Sequence, residues 1–315
     1  MIETLQSLRF VFVMLIFLSH FAYKDIETFD AGGDCGVAFF FLLSGFVCAL
    51  GYGQSLRDGT FCYRTFLWRR LKKLYPLHLL CLLFVLMVSR PALDFRVLAN
   101  VLLLQSWVPN ADWYFGCNSV AWFLSSLMFC YVVFPWAYRH LSVWLTLAVG
   151  VALVAVYWLT PYDWVNAVLY VNPAVRFVDF YIGMLLCQWY ERRGSADVPA
   201  WAEWLAVGGV LAMLAVYPHV DAKLRTAPLF WVVLVPLLFV FIGQKGWLSR
   251  QLRTRAMLFL GTLTMPLFLT HQLLLSILLR RLPDMPAVVM LAACVALALT
   301  LSWFVQIIFS RFLRL

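Results

Sequence analysis

The chain has 315 residues, of which 64% are apolar and only 12% charged. Soluble domains run at about 45–50% apolar and 25% charged residues, so this balance excludes an ordinary water-soluble fold and points to lipid as the solvent. The net charge of +9 lies in loops beside apolar stretches, which reads as contact with anionic lipid headgroups and excludes a nucleic-acid footprint.

Apolar stretches recur at 5–23, 36–53, 74–89, 119–138, 141–158, 175–190, 202–218, 228–243, 257–279 and 287–310. With ends placed to within several residues, each is close to the roughly 17–25 residues that cross a hydrocarbon core of about 30 Å. They predict an all-α, polytopic membrane bundle of about ten transmembrane helices, with no repeat or linker dividing residues 1–315 into more than one domain. The apolar piece Val97–Trp107 is too short to cross at about 1.5 Å per residue and predicts a short re-entrant segment. On that reading fifteen Lys and Arg residues, from Arg57 to Arg314, share one side. Eight, from Lys24 through Arg90 to Arg281, face the other, together with Asp25, Glu27, Asp30 and Asp34. The positive-inside rule then places both termini in the cytoplasm. Eight cysteines stand singly without CxxC pairs and form no metal or disulfide framework; Cys35 and Cys117, both near the outer face, would pair only in an oxidising compartment.

Polar residues inside spans are expensive in lipid and therefore informative. The first span carries Arg9 and His20. Eleven residues at 100° each bring them to within about 20° of one face, about 16 Å apart along the axis, so they mark one polar track. The competing reading has each side chain snorkelling to its nearer interface. In the second span Ser44 and Gly45 are small enough to admit a helix or a thin ligand, and the acids before it, Asp30 and Asp34 among them, crowd the mouth near His20. The stretch from Phe66 to Pro76 carries Arg69, Arg70, Lys72, Lys73 and Tyr75. It reads either as a lipid contact or as a clamp for an anionic ligand such as a nucleotide phosphate.

The order of motifs carries a family resemblance. Arg9 and His20 in the first helix, Gly36-Val37-Ala38-Phe39-Phe40-Phe41-Leu42-Leu43-Ser44-Gly45-Phe46 in the second, and Phe66-Leu67-Trp68-Arg69-Arg70-Leu71-Lys72-Lys73-Leu74-Tyr75-Pro76 after it together resemble membrane acyltransferase family 3. Gln105-Ser106-Trp107, Trp122-Phe123-Leu124-Ser125-Ser126, the run from Pro173 through Arg176 and Asp179 to Gly183, and the run from Gly261 to His271 extend it over the chain. Ala38 and Leu127 stand where the family often has Asp and Glu, and Asp179 replaces a Glu.

The resemblance implies an O-acyltransferase of the bacterial inner membrane. It would use cytoplasmic acyl-coenzyme A, in the first place acetyl-CoA, as a co-substrate rather than a resident cofactor, and a carbohydrate hydroxyl of the cell surface as acceptor. The donor's phosphates fall to Arg69 and Arg70, with Arg9 deeper and Ser44 and Tyr75 along the arm. His20 becomes the general base, a role suited to a group that titrates near neutral pH. Asp34 or Asp30 would hold its tautomer, and Trp122, Arg176, Asp179 and His271 fall to the acceptor. For His271 the competing reading is a core histidine bonded to a neighbouring helix. A transporter or flippase would also line a path with charge, and a membrane sensor ranks last because nothing outside the spans resembles a signalling domain.

Overall fold

Long apolar runs broken by short polar loops give fifteen α-helices and no β-strand among the described residues. The computed structural model describes residues 2–24, 26–89, 92–194 and 198–313; Asp25, Arg90 and Arg314, used in the charge reading, lie outside them. In chain order the helices are α1 (Glu3–Ser19), α2 (Asp30–Arg57), α3 (Tyr63–Ser89), α4 (Phe95–Val101), α5 (Ala111–Tyr114), α6 (Trp122–Arg139), α7 (Val143–Leu159) and α8 (Pro173–Arg193). They continue as α9 (Ala202–Val216), α10 (Ala222–Arg225), α11 (Pro228–Ile242), α12 (Trp247–Leu252), α13 (Arg255–Thr262), α14 (Thr264–Arg281) and α15 (Ala287–Leu313).

Among the described residues, six helices are long and apolar enough to cross a membrane, or up to eight if each of two bent pairs is one span. The expected spans outside that number are α1, which has 17 residues, and α8, which carries Arg176, Asp179, Glu191 and Arg192. One expected single span is broken, and another continues beyond its expected end. Residues 257–279 divide into α13 and α14, bent by 59°. Pro266 has no N–H to offer the Thr262 carbonyl, so one continuous ladder cannot pass this point. The span ending near residue 158 turns by 119° into a π-helical turn, Val165–Tyr170, that folds back against the bundle.

Glycines set how closely the central helices approach. A Cβ on Gly45 would collide with the Phe180 carbonyl and one on Gly183 with that of Leu42, so α2 and α8 meet backbone to backbone. Gly33 sits against Ser19 and Gly36 against Ile16, bringing α1 onto α2. Helix α1 is further pinned where Thr4 donates to the Phe241 carbonyl at 2.6 Å and Ser7 to that of Leu252 at 2.5 Å. Helix α4 is about 10 Å long and does not cross. A positive φ of 55° at Leu103 turns the chain. Side chains then clasp it: Ser125 donates to the Leu103 carbonyl at 2.7 Å, Ser106 to that of Trp122 at 2.9 Å and Gln105 to that of Ala121 at 3.0 Å. Cys35 and Cys117 are both free thiols.

Candidate functional site

A cavity of about 360 Å³ opens between α1, α2, α3, α6, α13, α14 and α15. Its polar rim is Gln6, Arg9, Arg70 and Lys73, with Ser44 and Tyr131 further along, and its inner wall is apolar: Leu43, Leu127, Phe40, Phe123 and Phe268. Three cations therefore converge on one space whose described lining holds no carboxylate. None of the three forms an ion pair among the described residues. Among the described residues Arg9 donates to Gln6 Oε1, at 3.1 Å. The Arg70 guanidinium lies 5.2–5.5 Å from the ring centres of Tyr52, Phe66 and Tyr131, while its buried Nε has no acceptor. Aromatic faces hold a guanidinium in place without neutralising its charge.

His20 caps the C-terminus of α1, eleven residues beyond Arg9 and so about 16 Å from it along the axis. Its Nδ1 lies 2.8 Å from the Ile16 carbonyl and 3.3 Å from both Ser19 Oγ and Nε2 of His271. His271, on α14, is fully buried and meets His20 edge-on, ring centres 5.0 Å apart. The cavity stops short of this pair. Phe123 packs on Phe268, and Phe268 lies 6.1 Å from the His271 ring, so aromatic side chains separate the cationic cavity from the imidazoles.

A second polar cluster lies on the other side of α2. Arg176 and Asp179 form a buried ion pair at 2.9 Å. Arg176 also donates to the carbonyls of Tyr170, at 2.5 Å, and Thr226, at 2.8 Å, and Trp231 donates to the second Asp179 oxygen at 2.5 Å. Beside it Tyr217 donates to Asp34 at 2.5 Å. Trp122 packs on Tyr170, ring centres 4.9 Å apart.

The structure regroups the residues singled out by sequence. Arg9, Ser44 and Arg70 share the cavity, and His20 and His271 share a contact. Arg69 is exposed and absent from the cavity lining. On α3 the residues Arg70, Lys73, Leu74 and Leu77 span an arc of about 100°, and Arg69 falls about 40° beyond its edge. Tyr75 lies on the opposite face and donates to the Val101 carbonyl at 2.7 Å, supporting the re-entrant segment instead of a ligand. Asp34 does not hold the His20 tautomer: Gly33 and Gly36 turn toward α1, which sends Asp34 to the far side of α2 and onto Tyr217. Arg176, Asp179 and Trp122 belong to that same distant cluster. Lys73, expected in the same basic stretch but not assigned to the donor phosphates, is the third cavity cation, and its spacing of three residues from Arg70 is the signal that places it on the same face.

A family model described as Acyltransferase domain (Acyl_transf_3) matches residues 2–307. The chain is also similar to a protein of Streptomyces mycarofaciens named Acyltransferase MdmB, with 32% identity over 157 residues, covering 44% of this chain and 39% of that protein. The matched stretch is thus well under half of the relative's length. No solved structure matches.

Proposed function

Because the chain belongs to the Acyltransferase domain family and is a multi-pass membrane acyltransferase, we propose that it carries an acyl group, in the first place acetyl, from acyl-coenzyme A to a hydroxyl of a cell-envelope carbohydrate. The observation that carries this reading is the convergence of Arg9, Arg70 and Lys73, none in an ion pair among the described residues, on one cavity at the foot of the helix that bears His20. Like charges brought together in a low-dielectric surrounding repel, and an anion relieves that repulsion. The phosphates of coenzyme A are such an anion, and guanidinium groups bind them with charge-assisted hydrogen bonds. The apolar inner wall suits an uncharged pantetheine arm, which passes Ser44 and pushes aside the rings of Phe40, Phe123 and Phe268 to bring the thioester toward His20.

At His20 the imidazole takes the proton of the acceptor hydroxyl as its oxygen attacks the thioester carbonyl. The carbon–sulfur bond then breaks, the thiolate recovers that proton from the imidazolium, and an ester and free coenzyme A remain. The cavity end of the bundle carries the basic loops, so it faces the cytoplasm, where acyl-coenzyme A is made, with both termini on that side of a bacterial inner membrane.

His20→Gln tests this directly, since glutamine keeps bulk and hydrogen bonding without a usable base. In proteoliposomes supplied with radiolabelled acetyl-coenzyme A, transfer falls roughly 10²–10⁴-fold while coenzyme A still binds. A wild-type rate in this variant removes the imidazole from the chemistry.

A further inference from the structure

We infer that His271 is the positioning residue of this site: from a different helix it fixes the His20 ring with its proton on Nδ1, so that Nε2 is the nitrogen presented to the acceptor hydroxyl. The inference rests on the reading of His20 as the base. The proton positions follow from what each neighbour can do. His271 Nδ1 lies 2.8 Å from the Phe268 carbonyl and 3.1 Å from that of Leu267. Carbonyl oxygens only accept, so this nitrogen carries the proton, and in a neutral ring His271 Nε2 is then a bare lone pair. That lone pair faces His20 Nδ1 at 3.3 Å. Ser19 Oγ, 3.3 Å from the same nitrogen, already donates its own proton to the Ile16 carbonyl at 2.8 Å. The Ile16 carbonyl itself completes the set at 2.8 Å. Three acceptors therefore surround His20 Nδ1, and the opposite tautomer would set a fourth lone pair against them. His20 Nε2 has no hydrogen-bond partner among the described residues.

Ile16 and Ser19 belong to the same helix as His20 and move with it, whereas His271 comes from α14 and holds the ring against the bundle. When Nε2 takes the substrate proton the ring becomes cationic and its Nδ1–H a stronger donor. The neutral His271 lone pair then stabilises that cation from the position a carboxylate occupies in a Ser-His-Asp arrangement. Of the two acids expected to take that task, Asp34 is bonded to Tyr217, and among the described residues no hydrogen bond joins Asp30 to the His20 ring.

Bromoacetyl-coenzyme A, incubated with the purified full chain, reads the tautomer. The nitrogen bearing the lone pair displaces bromide from the α-carbon, a nitrogen–carbon bond forms, bromide leaves, and the other ring nitrogen gives its proton to solvent. Acid hydrolysis cleaves the thioester, and chromatography separates the two carboxymethylhistidine isomers. The expected product on the His20 peptide is the Nε2 isomer. In His271→Phe the Nδ1 isomer rises, and kcat falls by roughly ten- to a hundredfold, the span for losing one hydrogen bond to a charged group, with KM for acyl-coenzyme A unchanged. His271→Gln, whose amide oxygen can accept from Nδ1–H, restores much of both. Predominant Nδ1 labelling of the wild type, or wild-type kcat in His271→Phe, overturns the positioning role and leaves the donor reading standing. Absence of label on His20 in a protein that binds coenzyme A overturns the reading of His20 as the base, and this inference with it.

Discussion

Two groups of cations lie within the same bundle and differ in every respect that matters for function. Arg176 is fully buried, and three partners answer it: a carboxylate at 2.9 Å and two main-chain carbonyls at 2.5 and 2.8 Å. Arg9, Arg70 and Lys73 line a cavity whose described lining holds no carboxylate, and Arg70 Nε is buried with no acceptor among the described residues. A charge inside a membrane protein needs a counter-charge. Where the chain supplies one the group is architectural, tying α8 to α11 and to the π-helical turn before it. Where the described chain supplies none, the phosphates of the proposed donor would do so.

The largest expected effect tests the paired group. Asp179→Ala leaves Arg176 as a lone buried charge, which costs about 3–5 kcal/mol. Folded protein, followed by size-exclusion chromatography and thermal melting in detergent, should largely disappear. Replacing both partners, Arg176→Met with Asp179→Leu, should recover part of it, and only part, because the indole N–H of Trp231 and two carbonyls lose their partners. If Asp179→Ala accumulates and melts like wild type, the pair is not architectural.

The cavity group should respond in the opposite way. Arg70→Met keeps a long apolar stem among Tyr52, Phe66 and Tyr131, so the protein should still fold. Coenzyme A should bind roughly ten- to a hundredfold more weakly, for the loss of about 1.5–3 kcal/mol of charge-assisted bonding. Lys73→Ala should do the same to a smaller extent, because an ammonium acts on a phosphate as a point charge. Calorimetric titration with coenzyme A at two salt concentrations checks both, and unchanged affinity in the two variants would return these residues to lipid anchoring. The smallest effect is the sharpest comparison. Arg69→Ala removes a neighbouring charge outside the cavity arc, and coenzyme A affinity should stay within about 0.5 kcal/mol of wild type. A loss equal to that of Arg70→Met would show that the cluster acts through net charge, without geometry.

What the sequence determined by itself was everything governed by short range. Apolar runs of sufficient length dictate helices in lipid, because every backbone polar group must be satisfied within its own segment. Helical periodicity placed Arg9 and His20 on one face of α1, and motif order indicated an acyltransferase before any side chain was placed. It also marked 97–107 as too short to cross. Tertiary structure decided which face of each helix meets which neighbour. The close approaches at Gly45, Gly183, Gly33 and Gly36 rotate α2 so that Ser44 enters the cavity and Asp34 leaves the histidine. The placement of α3 makes Lys73 a cavity residue and Arg69 an exposed one. The break before Pro266 tilts α14 until His271 reaches His20, 251 positions away in the chain. A helix fixes the angle between its own side chains and carries no information about the direction of its neighbours; that direction comes from packing between segments far apart in sequence, which no local pattern records.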